Sequence, residues 1–307
     1  MENPNILMVG LDMTPMDDTL IRYTAYLCNN PNIESVYFIH VEKSLEIPDE
    51  LRKGFPEAAP ADVRIRKALE DKIMPYFAAL PNVQISVLVE EGSPLKELLR
   101  WTKEKKANLV LVGRKLRLSG SGVLAQKLVR SGRTAVLFIP ETSEPVLRRV
   151  VVSIDFSEYS IMALERVLHT TLLPPDIQVV CLHVYEVPSG YITLGESFEK
   201  FEERMRGFAQ EKYNQLIQQF PALQKRGEFK MVRRDNEDNI GELIVMEAKR
   251  AHADMLVIGA KGKTAAALFI LGSVTEKVLR YDTDIPLTIF RKPKEEMGFL
   301  DALLSNE

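Results

Sequence analysis

Short apolar runs alternate with amphipathic helical patterns along most of the chain. In the first half, Ile6–Leu11, Val36–Val41, Gln84–Val89, Asn108–Val112 and Ala135–Ile139 read as strands. Helical periodicity separates them over about Asp17–Cys28, Ala61–Leu80, Pro94–Lys106 and Gly122–Ser131. The second half repeats the scheme, with strands at Arg149–Ile154, Val179–Val184, Glu228–Val232, Asp254–Ile258 and Pro286–Phe290. Its helices are predicted at about Tyr159–Thr170, Glu196–Phe220, Asn239–His252 and Gly272–Tyr281. Asp12 and Asp155 each close a first strand, His40 and His183 each close a second, and both pairs stand 143 residues apart. Unrelated segments seldom keep one offset through strand, helix and strand, so the pattern indicates an internal duplication.

Five Val/Ile/Leu-rich strands per half, with helices between them, predict an α/β fold. It comprises two tandem doubly wound domains, each a five-stranded mainly parallel sheet with helices on both faces. The polar, proline-containing stretch Pro140–Arg148 suits a linker and puts the boundary near residue 145. The expected domains are 1–141 and 147–293. A tail follows at 294–307, where Phe299, Leu300, Leu303 and Leu304 recur at helical spacing.

Composition narrows the function classes. The 307 residues, 46% hydrophobic, suffice for two cores. A net charge of −3 and a pI near 6.0 argue against a nucleic-acid coat. The opening MENPNILMVGLD lacks a basic n-region, and no apolar stretch approaches the roughly 18 to 20 residues that span a bilayer, so a soluble cytoplasmic protein without membrane association is expected. Cys28 and Cys181 form no CxxC pair and read as reduced, buried thiols.

The chemistry concentrates in Ala253–Arg280, ADMLVIGAKGKTAAALFILGSVTEKVLR. An apolar strand runs into Gly259 and Gly262 with Lys261 and Lys263 beside them, and Gly272-Ser273 open a helix. Glycines after a strand and before a helix let backbone N–H groups approach an anion, and the helix N-terminus adds its dipole. If the first and fourth strands flank the point where strand order reverses, Asp155 faces the base or ribose of a nucleotide while this loop holds its phosphates. Lys261 and Lys263 supply charge, and Ser273 or Thr264 a hydroxyl for phosphate or a Mg2+-bound water. Two familiar phosphate loops fail. Neither first strand is followed by GxGxxG, and a GxxxxGK[ST] loop ending at Gly262-Lys263-Thr264 needs a glycine where Val257 stands.

Gly259-x2-Gly262-x9-Gly272-Ser273, preceded by ADMLVIG and followed by VTEKVLR, resembles the ATP-binding signature of the universal stress protein family. VVVSIDFSEYSIMALERVL, LHVYE and IPLTIFRKP resemble that family's other elements in order, and two copies cover nearly the whole chain. The resemblance implies an adenine-nucleotide α-hydrolase type of fold, with ATP in one domain and fifth strands pairing between domains. It places Asp155 and the backbone at Val184 near adenine, and Gly259, Gly262, Gly272, Ser273 and Val274 around ribose and phosphates.

The first half carries an incomplete copy. Gly113 and Gly122 align with Gly259 and Gly272, but Leu116 replaces Gly262, Val123 replaces Ser273 and the loop is shorter. This half is expected to pair with the second as an intramolecular pseudo-dimer rather than to bind ATP. Ser119–Gly122 with Arg114, Lys115 and Arg117 offer a smaller anion nest, though a solvated loop is the simpler reading. The four histidines, His40, His169, His183 and His252, show no metal-ligand spacing, and buried, hydrogen-bonded rings are expected at His40 and His183. Glu90, Glu91, Asp235, Glu237 and Asp238 read as rim acids and Trp101 as a helix-face packing residue.

The leading expectation is a cytoplasmic stress-response protein that binds ATP with Mg2+ in its second domain, with no catalytic residue and no protein metal ligand assigned. It acts through nucleotide-dependent conformation or through a protein partner of unspecified identity. An ATP-hydrolysing or nucleotidyl-transfer enzyme using the same site, and a ligand-free interaction protein, stand as alternatives. The sequence leaves a homodimer, the stress signal and a weak ATPase activity open.

Overall fold

The computed structural model describes residues 5–45, 60–114, 127–131, 134–169, 176–235, 238–262, 271–281 and 284–291. The chain divides into two compact units, with the change falling between Pro145 and Val146 and a short stretch, 129–131, counted with the second.

The first unit contains β1 (Asn5–Leu11), α1 (Met16–Leu27), β2 (Ile33–Glu42), α2 (Ala61–Phe77), β3 (Gln84–Glu91), α3 (Pro94–Glu104), β4 (Leu109–Arg114) and β5 (Ala135–Pro140). Its strands run in the order β3-β2-β1-β4-β5, every described pair parallel. The interior strands β1 and β4 are covered on both faces. Their sequences are therefore apolar runs rather than alternations, and Leu7, Met8, Val9, Val110 and Leu111 are buried. β3 at the sheet edge buries only Val89 and keeps a mixed sequence.

The second unit repeats the order as β8-β7-β6-β9-β10. Its strands are β6 (Arg149–Ser153), β7 (Gln178–Tyr185), β8 (Gly227–Arg233), β9 (Met255–Gly259) and β10 (Leu287–Phe290). Between them lie α4 (Glu158–His169), α5 (Gly190–Thr193), α6 (Phe198–Gln219), α7 (Leu223–Arg226), α8 (Ile240–Arg250) and α9 (Ser273–Tyr281). At the starts of α6 and α8, Ser197 accepts from the Lys200 N–H and Asn239 from the Gly241 N–H, which satisfies donors that no helix can satisfy internally. All five residues of β9 are buried, as a central parallel strand requires.

The α/β class with a parallel sheet agrees with the sequence reading. Differences are local. α2 stops at Phe77, three residues short of the expected end, where Leu80 N–H bonds back to the Phe77 carbonyl in a turn. The four-residue helices α5 and α7 are too short to show periodicity. The linker expectation meets an irregular segment between Pro140 and Arg149 in which Leu147 and Ser143 are nevertheless buried. Of the helix expected from Gly122, residues 127–131 are helical. Gly122, Val123, Leu116, Lys115, Arg117 and Ser119–Ser121 lie outside the described residues, as does the tail 294–307. No described helix is long and apolar enough to cross a membrane. Both cysteines are buried free thiols, and burial pushes each up to about 12.

Candidate functional site

In the second unit the strand order reverses between β6 and β9, which lie side by side with Val150 opposite Met255 and Val152 opposite Val257. β7 continues to one side and β10 to the other, so the loops leaving β6 and β9 face one crevice at their carboxyl ends.

The β6–α4 loop is fixed by its own polar groups. Ser157 N–H donates to Asp155 Oδ1 at 2.9 Å, closing an Asx turn. Ser157 Oγ then accepts from Ser160 N–H at 3.3 Å as the cap of α4, and Asp155 N–H reaches Ser160 Oγ at 3.3 Å. Between them, Phe156 holds the left-handed backbone conformation at φ 61°, uncommon outside glycine. Its ring lies 4.8 Å from that of His183. His183 Nδ1 is 2.7 Å from the Ile154 carbonyl, which can only accept, so that nitrogen carries the proton.

The β9 loop meets this one through its glycines. A Cβ on Gly262 would stand 2.7 Å from Asp155 Oδ2, so only a glycine lets the backbone lie against that carboxylate. At Gly259 a Cβ would come within 2.9 Å of the carbonyl carbon, Cβ and oxygen of Tyr159, so α4 seats directly on the end of β9. Gly272 N–H donates to the Ala260 carbonyl at 2.8 Å, and Thr275 Oγ1 to the Gly259 carbonyl at 2.9 Å. These bonds pin the first turn of α9 beside β9. Its first α-helical bond runs from Glu276 N–H to the Gly272 carbonyl, so the N–H groups of Ser273, Val274 and Thr275 precede the helical ladder. Ser273 is exposed and is the first helical residue, so the capping position falls on Gly272.

Lys261 is buried, only 5% exposed, with Nζ 5.5 Å from the centre of the Tyr159 ring. Burial holds its ammonium below the usual lysine range, and the charge of Arg291 pushes the same way. The structure thus brings Asp155, Gly259, Lys261, Gly262, Gly272, Ser273 and Val274 to one end of β6 and β9. Val184, paired with Val232 in the β7–β8 ladder, is one strand away. Lys263 and Thr264 lie outside the described residues. Sequence reasoning missed Phe156, Ser157, Ser160 and Thr275, which fix the two loops. The Asp-x-Ser-x-x-Ser spacing of an Asx turn followed by a cap was the available signal for two of them.

The matching crevice of the first unit is built differently. Met13 repeats the left-handed backbone of Phe156 at φ 59°, and His40 Nδ1 repeats the strand-end bond, 3.2 Å from the Leu11 carbonyl. A Cβ on Gly113 would fall 2.4 Å from Met16 Cγ, as one on Gly259 would meet Tyr159. Where Ser160 supplies a hydroxyl, however, the first unit has Asp17. Its carboxylate accepts from Asp12 N–H at 3.0 Å and Met13 N–H at 2.9 Å, while Thr14 Oγ1 donates to Asp12 Oδ1 at 2.5 Å. Asp17 is 1% exposed, and burial draws its carboxyl above the usual range against the pull of the Asp12 N–H bond; the Asp12 charge adds to the rise.

Of the acids read as a rim, Glu237 lies outside the described residues and Glu90 and Asp235 are paired. Glu90 and Glu97 bond Arg100 at 2.8 and 2.7 Å, and Asp235 bonds Arg233 at 3.2 Å. Trp101 packs with Lys105, whose Nζ also lies 5.1 Å from the centre of the Tyr37 ring. Among the described residues no group of three or more His, Cys, Asp or Glu side chains could hold a metal ion.

A five-stranded parallel sheet with a glycine-bearing loop at the switch point defines a doubly wound α/β domain. Residues 147–291 match the model of the universal stress protein family, and this half of the chain is a universal stress protein domain. The universal stress protein MJ0531 of Methanocaldococcus jannaschii is 25% identical over 159 residues, covering 52% of this chain and 90% of that protein. A universal stress protein of Archaeoglobus fulgidus superposes with a TM-score of 0.60 at 16% identity, covering 94% of this chain and 99% of its own. A putative universal stress protein of Pseudomonas aeruginosa gives 0.64 at 13% identity, covering 99% of each chain. At these identities the structural likeness shows a shared fold along the chain.

Proposed function

We propose that this protein is a tandem universal stress protein acting in a cytoplasmic stress response, and that its second half binds ATP. The observation that carries this reading is the packing of the Gly262 backbone against the Asp155 carboxylate at the mouth of α9. There a carboxylate for ribose or base, a buried lysine and the amides that precede a helical ladder face one crevice. Asp155 and the Val184 backbone take the adenosine end. Gly259, Lys261, Gly262, Lys263, Gly272, Ser273 and Val274 take the phosphates, which bring Mg2+ with them. The first half is the second copy of the domain and binds no ATP, because Leu116 and Val123 stand where its counterpart has Gly262 and Ser273. ATP occupancy alters conformation or partner binding, which is the output of a regulatory module.

Calorimetric titration of the full chain with Mg-ATP tests this, alongside native mass spectrometry. The expected result is one nucleotide per chain, lost in Gly272→Val with the fold retained. Two nucleotides per chain, or undiminished binding in Gly272→Val, overturns the assignment.

A further inference from the structure

Beside the β6–α4 loop, on the side of the sheet covered by α6, the second unit holds a crevice of about 200 Å3. Phe156, His183, Tyr185 and Glu186 line it from the strand ends, and Met205, Phe208, Ala209 and Lys212 from α6. One polar atom of each of three residues on its strand-side wall is engaged. His183 Nδ1 bonds the Ile154 carbonyl, Tyr185 Oη donates to Glu202 Oε1 at 2.8 Å, and Glu186 is paired with Arg234. What faces the space is therefore ring faces, a thioether and a methyl group.

Two features distinguish this crevice from a packing defect. Phe208 is 52% exposed, a large apolar side chain held at the mouth rather than buried. Lys212 sits there too, with Nζ 5.7 Å from the centre of the Phe156 ring and no carboxylate within ion-pairing distance among the described residues. An apolar slot with one unneutralised cation at its entrance is complementary to a small, flat, apolar anion. An apolar cavity of roughly 150 Å3 accepts a benzene ring, so this one suits one or two fused rings.

We infer that the crevice is a second ligand site, for a small aromatic carboxylate whose rings lie among Phe156, Met205 and Phe208 and whose carboxylate pairs with Lys212. The site goes beyond the nucleotide reading and does not depend on it, since none of its α6 residues belongs to the phosphate loop.

The probe is 2-naphthoate, with uncharged 2-acetylnaphthalene as its partner, titrated into the full chain labelled with 13C-methyl methionine so that Met205 reports. Both probes are expected to shift the Met205 methyl signal, naphthoate at the lower concentration. Lys212→Met should weaken naphthoate about tenfold and leave acetylnaphthalene within about twofold. Phe208→Asp, at an exposed position that leaves the core intact, should abolish naphthoate binding; Ala209→Phe should block both probes by filling the slot. A Met205 signal unmoved at millimolar naphthoate overturns the inference. So do equal losses for both probes in Lys212→Met, or naphthoate binding that survives Phe208→Asp. Loss of naphthoate binding in Gly272→Val would place the probe in the phosphate loop instead and also overturn it.

Discussion

Gly259 and Gly262 are three residues apart, yet adding one methyl group to each should damage different properties. In Gly262→Ala the new Cβ meets Asp155 Oδ2 at 2.7 Å, well inside ordinary contact, so the carboxylate must swing away by about 0.7 Å. That motion strains the hydrogen bond from Ser157 N–H to Oδ1 at 2.9 Å. A bond of this kind is worth about 0.5–1.5 kcal/mol, which sets the scale of the stability loss. The same displacement moves the group assigned to adenosine beyond the ~0.5 Å that a preorganised site tolerates, so the Kd for Mg-ATP should rise at least tenfold, about 1.4 kcal/mol. In Gly259→Ala the obstacles are the backbone carbonyl and Cβ of Tyr159, all at 2.9 Å, and a helix backbone does not swing aside. Overpacking of this kind costs about 1–3 kcal/mol in stability. Urea denaturation and calorimetric titration of both variants measure the two quantities separately. Wild-type ATP affinity in Gly262→Ala, or wild-type stability in Gly259→Ala, would refute the reasoning.

Four further outcomes follow from the same geometry. Met13, 48% exposed with φ 59°, gains little from its side chain, so Met13→Gly should stabilise the chain by about 0.5–1 kcal/mol in urea denaturation. Phe156→Gly relieves the same backbone but loses the rings of His183 and Phe229 and should destabilise it. The buried Asp17 carboxyl titrates above its ordinary value of 3.8, so the folded chain holds that proton longer than the unfolded one. Its contribution is most favourable below that value and declines as pH rises through the raised one. The stability of the wild type relative to Asp17→Asn should therefore fall as pH rises from about 3.8 through the raised value, and a difference that rises instead would contradict the burial argument. Lys261→Met keeps the stem but removes a charge that burial already disfavours. Stability should hold or rise while Mg-ATP affinity drops about tenfold by calorimetry, and unchanged affinity would remove Lys261 from the site.

The repeat was legible because strand ends carry marked residues: Asp12 with Asp155 and His40 with His183 keep one offset, and buried parallel strands write themselves as apolar runs. The glycine loop was legible for the same reason, since Gly259, Gly262 and Gly272 stand at turns of a periodic pattern. Contacts made at long range were not. Asp17 reads as a first-turn helix acid, a common and unremarked position, until its carboxylate is seen folded back on Asp12 and Met13. Lys261 reads as a loop cation offered to phosphate, and the adjacency of β9, α4 and Arg291 that goes with its burial is not written in local spacing. The crevice under α6 depends on where a 22-residue helix lands on β7, which no local spacing encodes.

The histidine that ends the second strand of each unit has a further use. Each ring sets Nδ1 against a carbonyl at the end of the neighbouring strand, Leu11 in one unit and Ile154 in the other, while His40 Nε2 also faces Glu42 Oε1 at 3.0 Å. A ring proton engaged in this way is sheltered from exchange with water, so each is a candidate for a slowly exchanging downfield line in a proton spectrum. His40 and His183 would then give two native spectroscopic markers, one per unit, each set directly behind the acidic loop of its own half. Titrating a ligand while watching both lines would report which half responds, without a label or a substitution.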